Sequence, residues 1–260
     1  MKTSGLKAIW RDRRPAFGGW CSIPSSFSAE IVASLGFDYV CIDMQHGLAD
    51  FGDLVPMLQA VASYGTPLVR VPVADYATAQ RALDAGAEGL IFPLVNSRAE
   101  AEAAVASCRY PPLGARSYGP VRSRLHLGAD VGHANAEVAC IVMIETAAAL
   151  DHLDEILDCP GVDAVYVGPN DLALGLGVLS EVSDPPFNRA LETILEACVR
   201  RGTPAGIHTA SGAAARAYVE RGFSFATVTS DAAVLSAAYR SELATARGAE
   251  PATGTAGTYG

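Results

Sequence analysis

Apolar runs of strand length recur along the 260-residue chain and alternate with alanine-rich segments of helical spacing. The runs are continuous rather than interleaved with polar residues, which is typical of parallel strands covered on both faces. They predict eight strands, at residues 15–20, 38–43, 67–72, 89–95, 140–145, 164–171, 204–210 and 225–231.

The intervening segments have helical spacing, as in "DYATAQRALDAGA" and "FNRALETILEACVRRG". Several end in a glycine, the usual residue just past a helix C-terminus: Gly36, Gly86, Gly202 and Gly222. Eight strand–helix units in about 230 residues have the size of a (β/α)8 TIM barrel. The alternative is an open doubly wound sheet, but no GxGxxG motif follows the first strand, which weakens its dinucleotide-binding version.

Two segments depart from this alternation. Residues 109–136 form a long connection after the fourth helix, and long connections in compact domains are usually functional or disordered. We expect this one to lie over the active-site rim of the barrel. The end of the chain has a disordered composition, so we predict one domain over residues 1–247 and a disordered tail over 248–260.

Composition and charge narrow the classes of function. A hydrophobic content of 50% allows a large core, and a net charge of −9 argues against a basic surface for nucleic acid or anionic lipid. No run of 18 apolar residues occurs, and the first residues lack the apolar segment of a secretory signal, so we expect a soluble cytoplasmic protein. Six cysteines without a CxxC pair are predicted to be reduced core residues.

Polar residues follow the predicted strands at their C-terminal ends, where the active site of a barrel forms. We therefore predict that four carboxylates, two histidines and an arginine converge on one face: Asp43, His46, Arg70, Glu145, Asp171, His208 and Asp231.

Glu145 and Asp171 follow adjacent predicted strands, and two carboxylates with room for water suit a divalent cation such as Mg²⁺ or Mn²⁺. A helix N-terminal cap is the structural alternative for Glu145. The segment "GPND", residues 168–171, also opens a helix, so the amides of Asn170 and Asp171 can hold an anionic oxygen. A plain turn with an N-cap is the alternative there.

Arg70 lies in the apolar strand "LVRVP" and needs an anion, since an unpaired buried guanidinium is costly. It either bridges to a carboxylate on a neighbouring strand or faces a substrate oxyanion, and we favour the second. His46, in a polar turn, fits a general base, although a lone histidine is usually a satisfied core residue. Asp43 either orients His46 or pairs with Arg70. Asp84 ends a helix, where the dipole disfavours a carboxylate, so it either tunes a histidine across a subunit boundary or is solvated surface.

With these residues in view, the chain resembles the HpcH/HpaI class II aldolases, which are metal-dependent pyruvate aldolases. The resemblance covers residues 5–245 and rests on motifs in family order: "GFDYVCIDMQHG", "PLVRVP", "LDAGAEGLIFPLV", "RYPPLGARSYG", "VMIET" and "VDAVYVGPNDLALGLG".

The resemblance implies that His46 exchanges the pyruvate methyl proton through water and that Asp84 raises the basicity of His46. Arg70 would stabilise the enolate oxygen, with Asp43 as a further catalytic candidate. The family resemblance also implies a homo-oligomer, a trimer of dimers with exchanged C-terminal helices.

The same resemblance implies that Glu145 and Asp171 hold Mg²⁺, Mn²⁺ or Co²⁺, which chelates pyruvate. The turn that begins at Gly168 would bind the pyruvate carboxylate through the amides of Asn170 and Asp171. His208 stands where better-known members carry an apolar residue on the aldehyde side, so it is the candidate contact to the aldehyde.

The lysine count and three departures from the family pattern bear on the reaction. The only lysines are Lys2 and Lys7, so a buried Schiff-base lysine is nearly excluded and the metal route remains. Gln45 and Met143 replace a glutamate and a glutamine found in many members, and His208 is the third departure. We therefore expect the pyruvate half of the site to follow the family pattern, while the aldehyde stays open.

These observations predict a carbon–carbon lyase that reversibly cleaves a 4-hydroxy-2-oxo acid to pyruvate and an aldehyde. One alternative is an acyl-CoA lyase of the malyl-CoA or citramalyl-CoA type, with Arg116, Arg122 and Arg124 as a groove for the CoA phosphates. A non-catalytic oxoacid-binding barrel is the other alternative, given Gln45 and Met143.

Overall fold

The computed structural model of the chain describes residues 5–178 and 184–248. Eight parallel strands close into a barrel in sequence order, with the last strand beside the first. This confirms the predicted (β/α)8 architecture. The strands are β1 Ala16–Cys21, β2 Tyr39–Asp43, β3 Thr66–Arg70, β4 Gly89–Phe92, β5 Ala139–Ile144, β6 Ala164–Val167, β7 Ala205–Ile207 and β8 Phe225–Ser230. The predicted tail lies outside the described residues except for Gly248.

Helices precede β1 and follow every strand. They are α1 Leu6–Arg11, α2 Ser26–Ser34, α3 Phe51–Ala62, α4 Tyr76–Asp84, α5 Arg98–Cys108, α6 Arg124–Leu127, α7 Val131–Glu137, α8 Ala147–Asp151, α9 Leu153–Leu157, α10 Pro169–Gly175, α11 Pro185–Arg201, α12 Gly212–Glu220 and α13 Asp231–Ala246. Within the described ranges, no helix has the length and apolar character needed to cross a bilayer.

The strands are buried because side chains on both faces pack against apolar neighbours. The outer face packs against the helices, while the inner face fills the barrel with residues that include Trp20, Tyr39, Tyr166 and Phe225. Helix α1 closes the N-terminal end of the barrel, since Leu6 and Ile9 join this interior cluster. All six cysteines are free and buried, as predicted.

The predicted helix-ending glycines all adopt a positive φ, from 68° at Gly202 to 114° at Gly222. Residues with a Cβ rarely take this conformation, which reverses the chain after a helix. Local sequence therefore predicts these helix ends correctly.

The long connection at residues 109–136 does not lie over the active-site rim, so that prediction is wrong. Each barrel helix returns the chain to the N-terminal end of the strands, and this connection runs from the end of α5 to the start of β5. Accordingly, Leu127 lines a cavity with Leu6 of α1 and Thr66, the first residue of β3. The segment also contains α6 and α7.

Six of the predicted strands end earlier than expected, among them β6 and β8. Strand β6 ends at Val167, because Pro169 occupies the first turn of α10, where its fixed φ suits a helix start. Asp171 therefore projects from the first turn of a helix rather than from a strand. Strand β8 ends at Ser230, and Asp231 is the first residue of α13.

Helix α13 makes little contact with the rest of the described chain. Ala233 is its one buried residue among those described, although its sequence carries several apolar side chains. Val234, Leu235, Tyr239 and Leu243 are each at least half exposed. An apolar helix exposed to this degree is unusual for a monomer.

Candidate active site

Arg70 is ion-paired with Asp43, its register partner on the neighbouring strand. Arg70 Nε donates to Asp43 Oδ1 at 2.8 Å and Nη2 donates to Oδ2 at 2.6 Å. Both side chains are buried. The bridge to a neighbouring strand, left open by the sequence, is therefore present. Arg70 also lines a cavity, so its contact with a substrate oxyanion stays a prediction.

Of the two roles predicted for Asp43, orienting His46 or pairing with Arg70, the structure shows the pairing with Arg70. Asp43 Oδ2 also accepts a hydrogen bond from Trp20 Nε1 at 3.2 Å. Burial by itself would raise the pKa of Asp43, but the hydrogen bonds and charge of Arg70 hold that pKa below its usual value. Asp43 is therefore a carboxylate that fixes the guanidinium.

The turn that carries His46 is anchored on the same carboxylate. Asp43 Oδ1 accepts the backbone N–H of Gln45 at 3.0 Å and of His46 at 3.3 Å. A side chain at Gly47 would place its Cβ 2.1 Å from the Asp43 carbonyl oxygen, so the tight turn requires glycine. His46 is thereby held at the rim of the barrel with an exposed side chain.

Glu145 directly follows β5 and is 1% exposed. Its Oε1 accepts the backbone N–H of Leu94 at 2.7 Å. Burial is the main cause that raises the pKa of Glu145 to about 7, and the nearby charge of Asp171 acts in the same direction. The N-cap alternative is wrong, because the Thr146 side chain caps α8 by accepting the Ala149 amide at 3.0 Å.

The start of α10 lies against the Glu145 carboxylate. A Cβ at position 168 would sit 2.3 Å from Glu145 Oε2, so Gly168 leaves the space that this oxygen occupies. Asp171, an exposed residue in the first turn of α10, is close enough to shift the pKa of Glu145. The structure thus brings the two predicted acidic residues together at one edge.

The two carboxylates fit a divalent ion that takes its remaining ligands from substrate and water. Within residues 5–178 and 184–248, no group of three or more His, Cys, Asp or Glu side chains is arranged to hold a metal. The chemistry of the donor set, hard oxygen atoms from a buried carboxylate and its exposed neighbour, suits Mg²⁺ or Mn²⁺ rather than a softer ion.

His208 follows β7 and is buried between aromatic residues. Its ring lies edge-on to Trp20 at a centroid distance of 4.7 Å, and its Nδ1 lies 3.3 Å from the Tyr166 hydroxyl. Burial, followed by the positive charge of Arg70, lowers the pKa of His208 to about 3. The imidazole is therefore neutral at ordinary pH.

Two cavities meet at His208. The smaller is lined by the polar residues Arg70, Asn170 and Asp171, together with Met143, Gly168 and Pro169. The larger, of about 370 Å³, is lined mainly by apolar and small side chains and also by His46: Trp20, Ser22, Ile23, Pro24, Leu48, Ser230, Ala232 and Ala233. The site thus has a polar half and a largely apolar half.

Asp84 does not join this site within one chain. It is the last residue of α4 and lies at the N-terminal end of the barrel, where it accepts a hydrogen bond from Arg116 Nη2 at 2.8 Å. The Arg116 side chain is 1% exposed, so Asp84 neutralises a buried guanidinium.

Asp231 lies at the active-site end, but its carboxylate already has partners. It accepts the N–H of Ser22 at 2.8 Å, the N–H of Ile23 at 3.3 Å and the Ser28 hydroxyl at 3.0 Å. Asp231 therefore lies on the predicted face of the barrel, where its carboxylate fixes the loop between β1 and α2.

The three loop arginines do not form a CoA groove. Arg116 is buried against Asp84, and Arg122 donates to the Ala85 carbonyl at 2.8 Å. Arg124 begins α6, in the connection at the opposite end of the barrel. The feature that favoured an acyl-CoA lyase is therefore far from the site.

Sequence reasoning missed several residues of the site. Trp20 and Tyr166 contact His208 from inside the barrel, and the Leu94 amide binds Glu145. Asn96 hydrogen-bonds both Leu94 and Thr146. Asn96 closely follows an apolar strand, so the strand-end rule that found Glu145 could also have found it.

Comparison with known proteins agrees with this geometry. The family model described as HpcH/HpaI aldolase/citrate lyase matches residues 17–238. A hydroxypyruvate/pyruvate aldolase of Rhizorhabdus wittichii is 42% identical over 93% of this chain and 98% of its own length. A 5-keto-4-deoxy-D-glucarate aldolase of Escherichia coli is 35% identical over 90% of this chain and 93% of its own.

Among solved structures, an HpcH/HpaI aldolase/citrate lyase family protein from Burkholderia cenocepacia J2315 superimposes with a TM-score of 0.87. It is 38% identical, and the match covers 93% of this chain and 98% of the other. Together these relatives confirm the sequence-based prediction of a carbon–carbon lyase of the aldolase type. The chain belongs to the HpcH/HpaI aldolase/citrate lyase family.

Proposed function

We propose that this protein catalyses the reversible retro-aldol cleavage of a 4-hydroxy-2-oxo acid to pyruvate and an aldehyde, with a divalent metal ion as cofactor. The observation that carries the proposal is the buried Glu145 carboxylate, which lies beside Asp171 and next to the cavity that Arg70 lines. The aldolase names of the relatives support the same reaction.

Glu145 and Asp171 would hold Mg²⁺, Mn²⁺ or Co²⁺. A buried carboxylate with a second carboxylate nearby is unfavourable when both are ionised, and a cation offsets that cost. Bound there, the ion supplies positive charge that stabilises the negative charge developing on the oxoacid.

Arg70 acts on the same developing charge. Two hydrogen bonds to Asp43 hold its guanidinium in one orientation at the edge of the smaller cavity. A donor held in place before the reaction stabilises an oxyanion without reorganisation, an effect worth several kcal/mol in mutated enzymes. Arg70 thus donates to the enolate oxygen, and Asp43 keeps it aligned.

The first turn of α10 binds the carboxylate of the substrate. The amides of Asn170 and Asp171 have no carbonyl four residues earlier within the helix, so they are available to an anionic oxygen. Gly168, which has no side chain, lets the Glu145 carboxylate lie against this turn. The polar half of the site therefore takes the oxoacid end of the substrate, and the larger cavity beside His208 takes the aldehyde.

His46 takes or returns the methyl proton of pyruvate through a water molecule. It lines the larger cavity, on the side opposite the acidic pair, as a base facing the substrate would. Asp84 lies at the far end of its own barrel, so it raises the basicity of His46 only from a neighbouring subunit. The site is then shared between subunits.

The assembly that this requires is a homo-oligomer, a trimer of dimers in which α13 is exchanged between subunits. The exposed apolar side chains of α13 support this, because packing them against another copy removes Val234, Leu235, Tyr239 and Leu243 from water.

Exchange of the pyruvate methyl protons in D₂O tests the reaction. Pyruvate incubated with protein and Mg²⁺, Mn²⁺ or Co²⁺ is expected to lose its methyl proton signal, and a chelator is expected to stop the loss. Exchange that continued in chelator would contradict the metal requirement. An aldehyde panel would then identify the acceptor.

The same experiment distinguishes an aldolase from a non-catalytic oxoacid-binding barrel. Such a protein binds pyruvate in a metal-dependent manner but leaves its methyl protons unexchanged. An acyl-CoA lyase would cleave a thioester and not the free acid, so both substrates are assayed together.

A further inference from the structure

The loop between β4 and α5 contacts Glu145 through a strained residue. Leu94 has a φ of 54°, in the left-handed region that side chains with a Cβ rarely adopt. In this conformation its N–H points at Glu145 Oε1, at 2.7 Å. Such strain persists only where the surroundings hold it, and it is concentrated at functional sites.

Asn96 holds this conformation from two sides. Its Nδ2 donates to the Leu94 carbonyl at 2.8 Å, and its Oδ1 accepts a hydrogen bond from the Thr146 hydroxyl. Its own N–H donates to Glu100 Oε2 at 2.6 Å, which ties the loop to α5. Because Thr146 directly follows Glu145, these bonds close a ring through Glu145, Leu94, Asn96 and Thr146.

The ring determines which oxygen of Glu145 is engaged. Oε1 is occupied by the Leu94 amide, and Oε2 lies against the start of α10, where Gly168 makes room for it. A carboxylate fixed in this way presents Oε2 towards the side where Asp171 lies.

We propose that Asn96 is a positioning residue for the metal-binding carboxylate of Glu145, acting through the strained Leu94 amide and through Thr146. This rests on the proposed function, in which Glu145 and Asp171 hold a divalent ion. Partners of a ligand in this position typically change metal affinity 10- to 100-fold when they are lost.

The test is the affinity for Mn²⁺ alone, measured by calorimetry and by the electron paramagnetic resonance of free Mn²⁺. Asn96→Ala is expected to bind Mn²⁺ about 10- to 100-fold more weakly than the wild type. Leu94→Gly added to Asn96→Ala is expected to recover part of the affinity, because glycine adopts a φ of 54° without strain.

Asn135 provides a matched control. It is a buried asparagine that braces a loop backbone at the other end of the barrel, accepting from the Tyr110 amide at 2.7 Å and donating to the Tyr110 carbonyl at 3.2 Å. Asn135→Ala is expected to lower thermal stability while leaving Mn²⁺ affinity unchanged.

A second measurement needs no metal. Hydrogen exchange in chelator is expected to show the Leu94 amide protected in the wild type and unprotected in Asn96→Ala. Equal Mn²⁺ affinity of wild type and Asn96→Ala would overturn the positioning role while leaving the proposed function in place. A wild type that does not bind Mn²⁺ would overturn both.

Discussion

The carboxylate of Asp43 and the guanidinium of Arg70 face each other across paired strands and share two hydrogen bonds, at 2.8 and 2.6 Å. The guanidinium also lies 5.0 Å from the centre of the Trp20 ring. Because Asp43 and the Trp20 ring both hold the planar guanidinium, it has one orientation. Its positive charge therefore lies at the cavity beside Glu145.

Arg70→Lys is expected to lower kcat at least 100-fold, because an ammonium group cannot hold both Asp43 oxygens and donate to an enolate oxygen at a fixed angle. Steady-state kinetics and proton exchange of pyruvate measure the loss. Arg98→Lys is the control, since Arg98 makes an exposed pair with Glu102 on α5 and should leave kcat unchanged. If Arg70→Lys kept most of the activity, the planar contact to the enolate would be wrong.

Glu145→Gln is expected to stabilise the metal-free protein above neutral pH. The pKa of Glu145 is about 7 in the folded protein against the ordinary 4.5, so burying its charge costs stability above pH 7 and costs none below 4.5. A shift of this size corresponds to roughly 3 kcal/mol at most. Urea unfolding in chelator at pH 8 and pH 4.5 measures this difference.

The same variant should lose metal-dependent stabilisation. Added Mn²⁺ is expected to raise the unfolding temperature of the wild type but not that of Glu145→Gln, because the amide provides no negative charge. Equal stabilisation of both proteins would show that the ion binds elsewhere.

His208 is expected to stay neutral down to strongly acidic pH. Its folded pKa of about 3 lies below the ordinary 6.5, so its contribution to stability is complete above pH 6.5 and is lost as the pH falls towards 3. Nitrogen NMR of the imidazole should show no titration between pH 5 and 8. The unfolding free energy of His208→Gln should fall less steeply below pH 6.5, and a His208 signal titrating near 6.5 would contradict this assignment.

Replacing His208 should also change the preferred aldehyde. His208→Leu removes a polar group from a largely apolar cavity. We expect kcat/KM for hydroxylated aldehydes to fall roughly tenfold relative to alkyl aldehydes, because this factor corresponds to the loss of one hydrogen bond. An aldehyde panel with the wild type alongside provides the comparison. Val199→Ala, an exposed change on α11, serves as the control. An unchanged ranking of aldehydes would remove His208 from the acceptor side.

Subunit sharing predicts complementation between two inactive variants. His46→Ala and Asp84→Asn are each expected to be inactive, whereas co-expression should restore about a quarter of the sites, those that combine an intact His46 with an intact Asp84 from the neighbour. Activity of purified mixed oligomers measures this recovery. Asp84→Asn also leaves buried Arg116 without its anion, so its unfolding temperature is measured first. Folded mixtures without activity would contradict the shared site.

Much of this architecture follows from local sequence. Strands buried on both faces require continuous apolar runs, and helix ends require glycine at positive φ, so the eight repeating units and Gly36, Gly86, Gly202 and Gly222 are visible in the chain. The strand-end rule also indicates His46, Arg70, Glu145 and His208, because parallel strands bring their C-terminal ends to one face.

Only the closed barrel decides which of these groups meet. Strand register pairs Asp43 with Arg70, and the return of each helix carries Asp84 and residues 109–136 to the opposite end. The strained Leu94 amide reaches Glu145 from a loop 51 residues away, a contact that no local pattern specifies. The sequence specifies which side chains lie at the strand ends. Which of them contact one another depends on residues distant in sequence, and these contacts exist only once the sheet has closed.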